Sequence, residues 1–260
     1  MEYYIAEKWQ DILVFNNLDT SQKIWTLKAE WFEEPNYRRG GWSGVSRIEL
    51  KLPEGGSMGF FLKRQEDHVS RSLRHPIKGF PTLRREFENI EAFNRNNIPS
   101  LEVLFFEEWE ENGHQRAVIL TKELEGYYPL SSGQFQPGGE FVTTLVQRGK
   151  LFSKLAWLMQ KMHANNFQHN CFYLKHIFAK PVGDGDIDLA VIDLEKVKKR
   201  FFKKQAVFRD LYTLNRHAKN WGLKDKVRFY QDYQNEKKKL SPQSKKLWFD
   251  IASRIKRKSH

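Results

Sequence analysis

Between Gly44 and Lys63 apolar and polar residues alternate with a period of two. The runs are Gly44-Val45-Ser46-Arg47-Ile48-Glu49-Leu50-Lys51-Leu52 and Met58-Gly59-Phe60-Phe61-Leu62-Lys63, with Pro53 and Gly55-Gly56 between them. Alternation turns one set of side chains toward a core and the other toward water, and the glycine pair supplies a turn, so a β-hairpin is predicted. The period then changes. Leu83, Phe87, Ile90 and Phe93 recur at helical spacing after Pro81-Thr82, which predicts a helix over 81–93. Two more strands are predicted at Leu101–Trp109 and Arg116–Lys122, joined through the turn residues Glu111-Asn112-Gly113.

A second pattern begins at Phe141. Val142, Leu145, Leu151, Leu155, Leu158, Met159 and Met162 form one apolar stripe and predict a long helix ending near Asn165-Asn166. Two short strands follow, Ile177–Lys180 and Ile187–Leu194, split by Pro181-Val182-Gly183-Asp184-Gly185-Asp186. The rest reads as helical, its last segment capped by Ser241, opened by Pro242 and burying Leu247, Ile251 and Ile255. The fold class is α+β: a small β-rich lobe over 1–125, then a larger helical lobe over 126–260, with the break between Glu123 and Ser132. No internal repeat or low-complexity tract interrupts this order.

The chain has 260 residues, 40% hydrophobic and 14% aromatic, enough to build a substantial core and too much for a disordered chain. A single cysteine, Cys171, leaves no internal disulfide and agrees with a reducing cytoplasm. The start, Met1-Glu2-Tyr3-Tyr4, lacks the basic stretch and apolar run of a secretion signal, and no apolar window is long enough to span a bilayer. Net charge is +12 and is unevenly divided. Residues 1–140 hold 17 basic and 22 acidic residues and 141–260 hold 27 and 10, so the second part carries +17. Such a field favours anionic partners such as phosphorylated glycans, acidic headgroups or nucleic acid, or else serves as a solvated surface.

Candidate chemistry centres on His169-Asn170-Cys171-Phe172-Tyr173-Leu174-Lys175-His176, with Asp193 seventeen residues further on at the end of Leu189-Ala190-Val191-Ile192. This is the spacing of a protein-kinase catalytic loop, H-R-D-x-x-x-x-N, and its later metal-binding aspartate. The position of the proton-accepting aspartate holds Cys171. That of the metal-binding asparagine holds His176. Asp193 suits a metal carboxylate at a strand end, or is a turn residue; His176 suits a metal or phosphate contact, or a buried backbone-bonded histidine. His169 is a candidate base if it faces the cleft, and Cys171 one only if its pKa is lowered. His163, at a helix end, is read as structural. Lys63, ending a strand, and Glu86, on the next helix, suit the lysine that holds ATP phosphates and its ion-pair partner, or are surface charges. Gly40-Gly41-Trp42-Ser43-Gly44 offers backbone to phosphates through Gly41, Ser43 and Gly44, or is a plain turn. Lys196, Lys198, Lys199 and Arg200, with Lys203 and Lys204 after them, are candidates to hold a phosphorylated or carboxylated acceptor, or are simply solvated. Asp184, Asp186 and Asp188 read as a hairpin turn and not as a calcium loop. The last helix, with Trp248 and Phe249 among lysines, either packs on the lobe or rests on an acidic membrane surface.

These strings, together with Leu62-Lys63-Arg64-Gln65-Glu66-Asp67-His68, His75-Pro76, Pro81-Thr82-Leu83-Arg84-Arg85-Glu86 and Ile192-Asp193-Leu194-Glu195-Lys196, resemble the lipopolysaccharide kinase family. The resemblance is to its InaA-type branch, related to the WaaP heptose kinases and the Kdo kinases, and it covers about residues 40–215. It implies a protein-kinase-like bilobal fold and use of ATP with Mg2+ or Mn2+. For the characterised branches it implies phosphorylation of inner-core sugars at the cytoplasmic face of the inner membrane. Lys63, Glu86 and Asp193 match the ATP lysine, its partner and the metal aspartate, and His176 matches a histidine of the relatives. Asn170 and Cys171 depart from the H-R-D of those branches, whereas InaA-type chains also lack the aspartate. The expected function is an ATP-dependent phosphotransferase acting on a lipopolysaccharide-core sugar or similar anionic glycolipid, cytoplasmic and peripheral to an anionic membrane. The alternative is a pseudokinase that binds nucleotide or a stress ligand without transfer. A nucleic-acid or membrane-surface binder ranks third, and nucleic acid is not an expected partner.

Overall fold

The period-two segments form the centre of a six-stranded antiparallel sheet. The structure, a computed structural model, describes residues 3–38, 40–71, 77–136, 138–183 and 185–258. His75, Pro76 and Asp184 lie outside the described residues. Strand β1 (Tyr3–Ile5) is followed by helices α1 (Gln10–Phe15) and α2 (Ser21–Thr26), then by strands β2 (Trp31–Arg38), β3 (Gly41–Lys51) and β4 (Ser57–Glu66). A short pair, β5 (Val69–Ser70) and β6 (Phe80–Pro81), leads to helix α3 (Thr82–Arg95), and β7 (Val103–Glu111) and β8 (His114–Lys122) follow. Sheet order is β1-β7-β8-β4-β3-β2. Asn112 and Gly113, both at positive φ, close the β7–β8 hairpin, as their side-chain chemistry allows.

Alternation decides which face each residue serves. Phe60 and Leu62 of β4 join Ile48, Leu50 and Leu120 in a cluster with Trp9, Leu13 and Ile24 on one face. The intervening residues Lys63 and Gln65 bond α3 on the other. A one-residue slip would exchange the two sets. The stripe on α3 is buried at Leu83, Phe87, Ile90 and Phe93, and Phe87 stacks on Phe106 with centroids 4.4 Å apart. The sequence reading did not single out α1, α2 or β2. Two are six-residue helices, and β2 is exposed along nearly its whole length, so neither carries a clear period.

The remaining elements are β9 (Tyr128–Pro129), α4 (Leu145–Ala164), β10 (Phe167–Gln168), β11 (Ile177–Val182), β12 (Asp186–Val191), β13 (Lys198–Lys199), α5 (Lys203–His217), α6 (Leu223–Gln234) and α7 (Pro242–Arg257). Helix α4 begins four residues later than expected, because Thr144 and Gln147 form a capping box there. Val142 is buried in the preceding loop, while Leu145 and Val146 are exposed. Strand β12 also ends early, at Val191, and Leu194 belongs to a 3-10 turn at Leu194–Lys196. Helix α7 starts after Ser241, whose hydroxyl accepts from Ser244 N, and packs inward through Ile251 and through Trp248 against Tyr230. This is the packed reading of the last helix; Phe249 stays exposed. The chain divides into two compact units, residues 1–94 with 101–125 and residues 95–100 with 126–260. Residues 95–100, expected in the first lobe, group with the second, where Val191 N donates to Pro99 O at 3.1 Å.

Candidate active site

In the first unit, Lys63 Nζ lies 2.5 Å from Glu86 Oε1, with Glu86 buried and Lys63 23% exposed. The geometry follows from one anchor. Gln65 Oε1 accepts from Leu83 N at 3.0 Å and from the Thr82 hydroxyl at 3.1 Å, satisfying the first turn of α3. Its Nε2 donates to His68 O at 2.8 Å. Two residues back along β4 the side chain on the same face is Lys63, and one turn along α3 is Glu86, so fixing Gln65 on Leu83 brings the pair together. The role of Gln65 has no signal of its own in the sequence, since a strand glutamine is usually unremarkable.

Gly41, Ser43 and Gly44 fall inside β3 and not in a free loop: Gly41 is opposite Arg38 of β2, Gly44 opposite Arg64 of β4, and Ser43 opposite Asn36 and Gln65. A Cβ on Gly41 would overlap the backbone of Glu66 and Asp67, and one on Gly44 would enter the Trp31 ring, so both glycines are required by packing. Only the turn residue Gly40, at φ +88 with open space around it, remains loop-like.

In the second unit, the loop after β10 is held by a residue that sequence reasoning missed. Asp210 of α5 is fully buried, and its carboxylate accepts from His169 N at 2.7 Å and from Asn170 N at 2.9 Å. His163 Nε2 lies 3.3 Å from the same carboxylate, and His163 Nδ1 lies 2.8 Å from the Tyr233 hydroxyl. His163 is thus structural, as expected, and α4, α5 and α6 together fix two backbone amides of the loop. Asn170 takes a left-handed conformation, φ 66, which asparagine tolerates, and its Nδ2 donates to Lys196 O at 2.7 Å.

His169 does not face solvent. It is completely buried, its Nε2–H donates to Ile192 O at 3.1 Å, its Nδ1 has no partner, and burial lowers its pKa. This placement argues against the general-base role considered for it and makes it a brace between the loop and the end of β12. Cys171 is also buried, at 6% exposure, and burial first and the Asp193 charge second push its thiol pKa up. The lowered pKa that a base at this position requires is the opposite of what its surroundings produce.

His176 and Asp193 do come together. His176 Nδ1 donates to Cys171 O at 2.9 Å and lies 3.3 Å from Asp193 Oδ2. Burial, ahead of the neighbouring charges, brings its pKa down to about 4, so the ring is neutral and Nε2 carries a lone pair. A backbone carbonyl holding the far ring nitrogen is the support that metal-binding imidazoles commonly have. Asp193 follows β12 by two residues in a left-handed conformation, φ 60. Among the described residues no cluster of three or more acidic, histidine or cysteine side chains forms a metal site.

The four cations behave unequally. Lys196, Lys198 and Lys199 are exposed, but Arg200 Nε donates to Gln168 Oε1 at 2.8 Å and Lys199 lies over Phe167, 5.7 Å from its centroid. Beside the loop, Tyr173, Leu174, Lys175, His217 and Lys219 line a cavity of ≈ 510 Å³ that sequence reading did not foresee. A larger recess of ≈ 1290 Å³, lined by Lys150, Trp157 and Arg228 of α4 and α6, includes no loop residue.

The model of the lipopolysaccharide kinase (Kdo/WaaP) family matches residues 22–233. The chain belongs to that family. It is 30% identical over 193 residues to Protein InaA of Escherichia coli (strain K12), covering 74% of this chain and 85% of the relative. The structure resembles that of WaaP in complex with acyl carrier protein, with a TM-score of 0.69 over 99% of this chain and 98% of that one, at 19% identity. That likeness gives the fold, which is kinase-like. Membership of this kinase family makes the function one of the lipopolysaccharide-kinase type, and the expected InaA-type relationship holds.

Proposed function

We propose that the protein is an ATP-dependent phosphotransferase that phosphorylates a lipopolysaccharide-core sugar or a similar anionic glycolipid. The observation that carries this reading is the Lys63–Glu86 pair, held by the Gln65 anchor in the arrangement a kinase uses to grip α- and β-phosphates. Asp193 and His176 are the residues to hold Mg2+ or Mn2+. Two protein ligands suit such an ion, because it keeps several waters and takes further oxygens from substrate phosphates. The ion supplies charge neutralisation at the transferring phosphoryl group. Gly40 is the part of the glycine segment with backbone open to phosphate, while Gly41, Ser43 and Gly44 shape the strand behind it. Lys196, Lys198, Lys199 and Arg200 contribute a cationic field for the acceptor, and Lys175 and Lys219 line the cavity suited to its anionic groups.

Transfer does not require a strong base at Cys171. Phosphoryl transfer passes through a loose transition state and depends chiefly on positioning and charge, while general-base assistance contributes about 10²- to 10⁴-fold. A slow enzyme is the consequence. The second reading, a nucleotide binder without transfer, is favoured by one observation, the buried and protonated Cys171 thiol. Thermal unfolding with a non-hydrolysable ATP analogue and Mg2+ tests the part common to both readings. Stabilisation of the wild type that is lost in Lys63→Met and Asp193→Asn is expected. No stabilisation of the wild type would remove both.

A further inference from the structure

Two adjacent phenylalanines stand out on the second unit. Phe201 is 98% exposed and Phe202 69% exposed. Leaving two such side chains in water forfeits the burial that places most phenylalanines in cores. They are flanked by Lys196, Lys198, Lys199, Arg200, Lys203 and Lys204, and no acidic residue occurs between Lys196 and Arg209. Lys203 and Lys204 also occupy the first turn of α5, where the helix dipole disfavours cations, and no side chain caps that end. Local stability is thus lowered at the same place where apolar area is left uncovered.

We propose that residues 196–204 form a docking loop for an anionic lipid bilayer, with Phe201 and Phe202 entering the headgroup–acyl boundary and the flanking cations binding acidic headgroups. An apolar tip inside a cationic ring is matched by that environment on both counts. A nucleic-acid duplex would satisfy the cations and leave the tip in water; a single strand could stack on it, so pelleting of the wild type with single-stranded oligonucleotide and not with anionic vesicles would overturn the assignment. No helix among the described residues is long and apolar enough to cross a membrane, so the attachment is peripheral.

The loop is tied to the residues around Cys171. Lys198 and Lys199 pair with Gln168 and Phe167, Arg200 N donates to Asn166 O at 2.8 Å, and Asn170 Nδ2 holds Lys196 O. Docking therefore fixes the orientation of the 169–176 loop toward the lipid surface. If the phosphotransferase reading is right, that orientation presents the loop at the level of a glycolipid headgroup; the docking itself does not depend on it.

Co-sedimentation of the full chain with phosphatidylcholine vesicles, with and without phosphatidylglycerol, tests the proposal without nucleotide or turnover. The wild type should pellet with the anionic vesicles only, and less so as salt rises. Phe201→Ser/Phe202→Ser should weaken partitioning by at least about tenfold with unchanged thermal unfolding, since two interfacial aromatic anchors are lost. Phe201→Trp/Phe202→Trp should keep binding and show an added blue-shifted emission on vesicles. Equal pelleting of the serine double variant, or of the wild type on pure phosphatidylcholine, would overturn the proposal. So would lipid-free dimerisation that the serine variant abolishes, which would assign the patch to a second copy. None of these failures touches nucleotide binding, so the kinase reading stands or falls separately.

Discussion

The two units fix their candidate chemistry by different means. In the first, charged side chains hold one another: Lys63 with Glu86, Arg84 with Glu108, Arg116 with Glu66. In the second, a buried carboxylate holds backbone: Asp210 accepts from the amides of His169 and Asn170, and the side chains of His169, Asn170 and His176 bond backbone carbonyls, so the Cys171 thiol takes no part in holding the loop. The shape of the loop is therefore separable from its reactivity. A thiol can stand where a kinase has its base while the backbone that presents it stays in place, whereas no change at Lys63 or Glu86 would leave the pair intact.

The largest effect should come from breaking the backbone anchor. Asp210→Ala strands two buried amides beside His163 and should cost about 3–5 kcal/mol, read by urea unfolding. Asp210→Asn keeps one acceptor oxygen and should fall between it and the wild type. A loss under about 1 kcal/mol for the alanine variant would mean the loop is held by something else.

A carboxylate placed at position 171 probes reactivity with shape unchanged. Cys171→Asp should raise turnover by about 10²- to 10⁴-fold if proton removal is the defect, at little cost in unfolding temperature. Unchanged turnover would locate the limitation in acceptor binding or product release.

In the first unit, Glu86→Gln and Lys63→Met should each lower turnover about 10- to 100-fold, and the double variant should lose little more, because the two act as one pair. Additive losses would show that Lys63 does not depend on Glu86.

The smallest effect tests the anchor that sets their register. Gln65→Leu leaves Leu83 N without its side-chain acceptor and removes one of the two side-chain partners of the Thr82 hydroxyl, and should destabilise by about 1–2 kcal/mol, with weaker nucleotide-dependent stabilisation. Stability loss without any change in nucleotide response would separate the anchor from the pair.

How much the sequence revealed follows the same division. The hairpin and the α3 stripe were legible because period and side-chain type carry them within a few tens of residues, whereas Lys63 and Glu86 stood out only through their order relative to the 169–193 segment. Asp210 was not, because its role is a tertiary bond to backbone some forty residues earlier, and an aspartate within the pattern Arg209-Asp210-Leu211-Tyr212 reads as an ordinary helix residue. His169 was misjudged for a related reason: spacing places it beside the reactive position but gives no direction to its ring. Gly41 and Gly44 looked like loop glycines because close packing against Trp31 and the Glu66 backbone leaves the same signature as flexibility. The exposure of Phe201 had no signal in the pattern, since an aromatic pair beside a basic run predicts a covered helix face as readily as an open tip.

The central claim, slow phosphate transfer through a loop that keeps its scaffold and lacks its base, is met most directly by following γ-labelled phosphate from ATP into a lipopolysaccharide-core acceptor. Label should appear in the acceptor with the wild type and Mg2+, and be absent with Asp193→Ala. Wild-type incorporation no greater than that of Asp193→Ala, in protein that still binds the nucleotide, would contradict it.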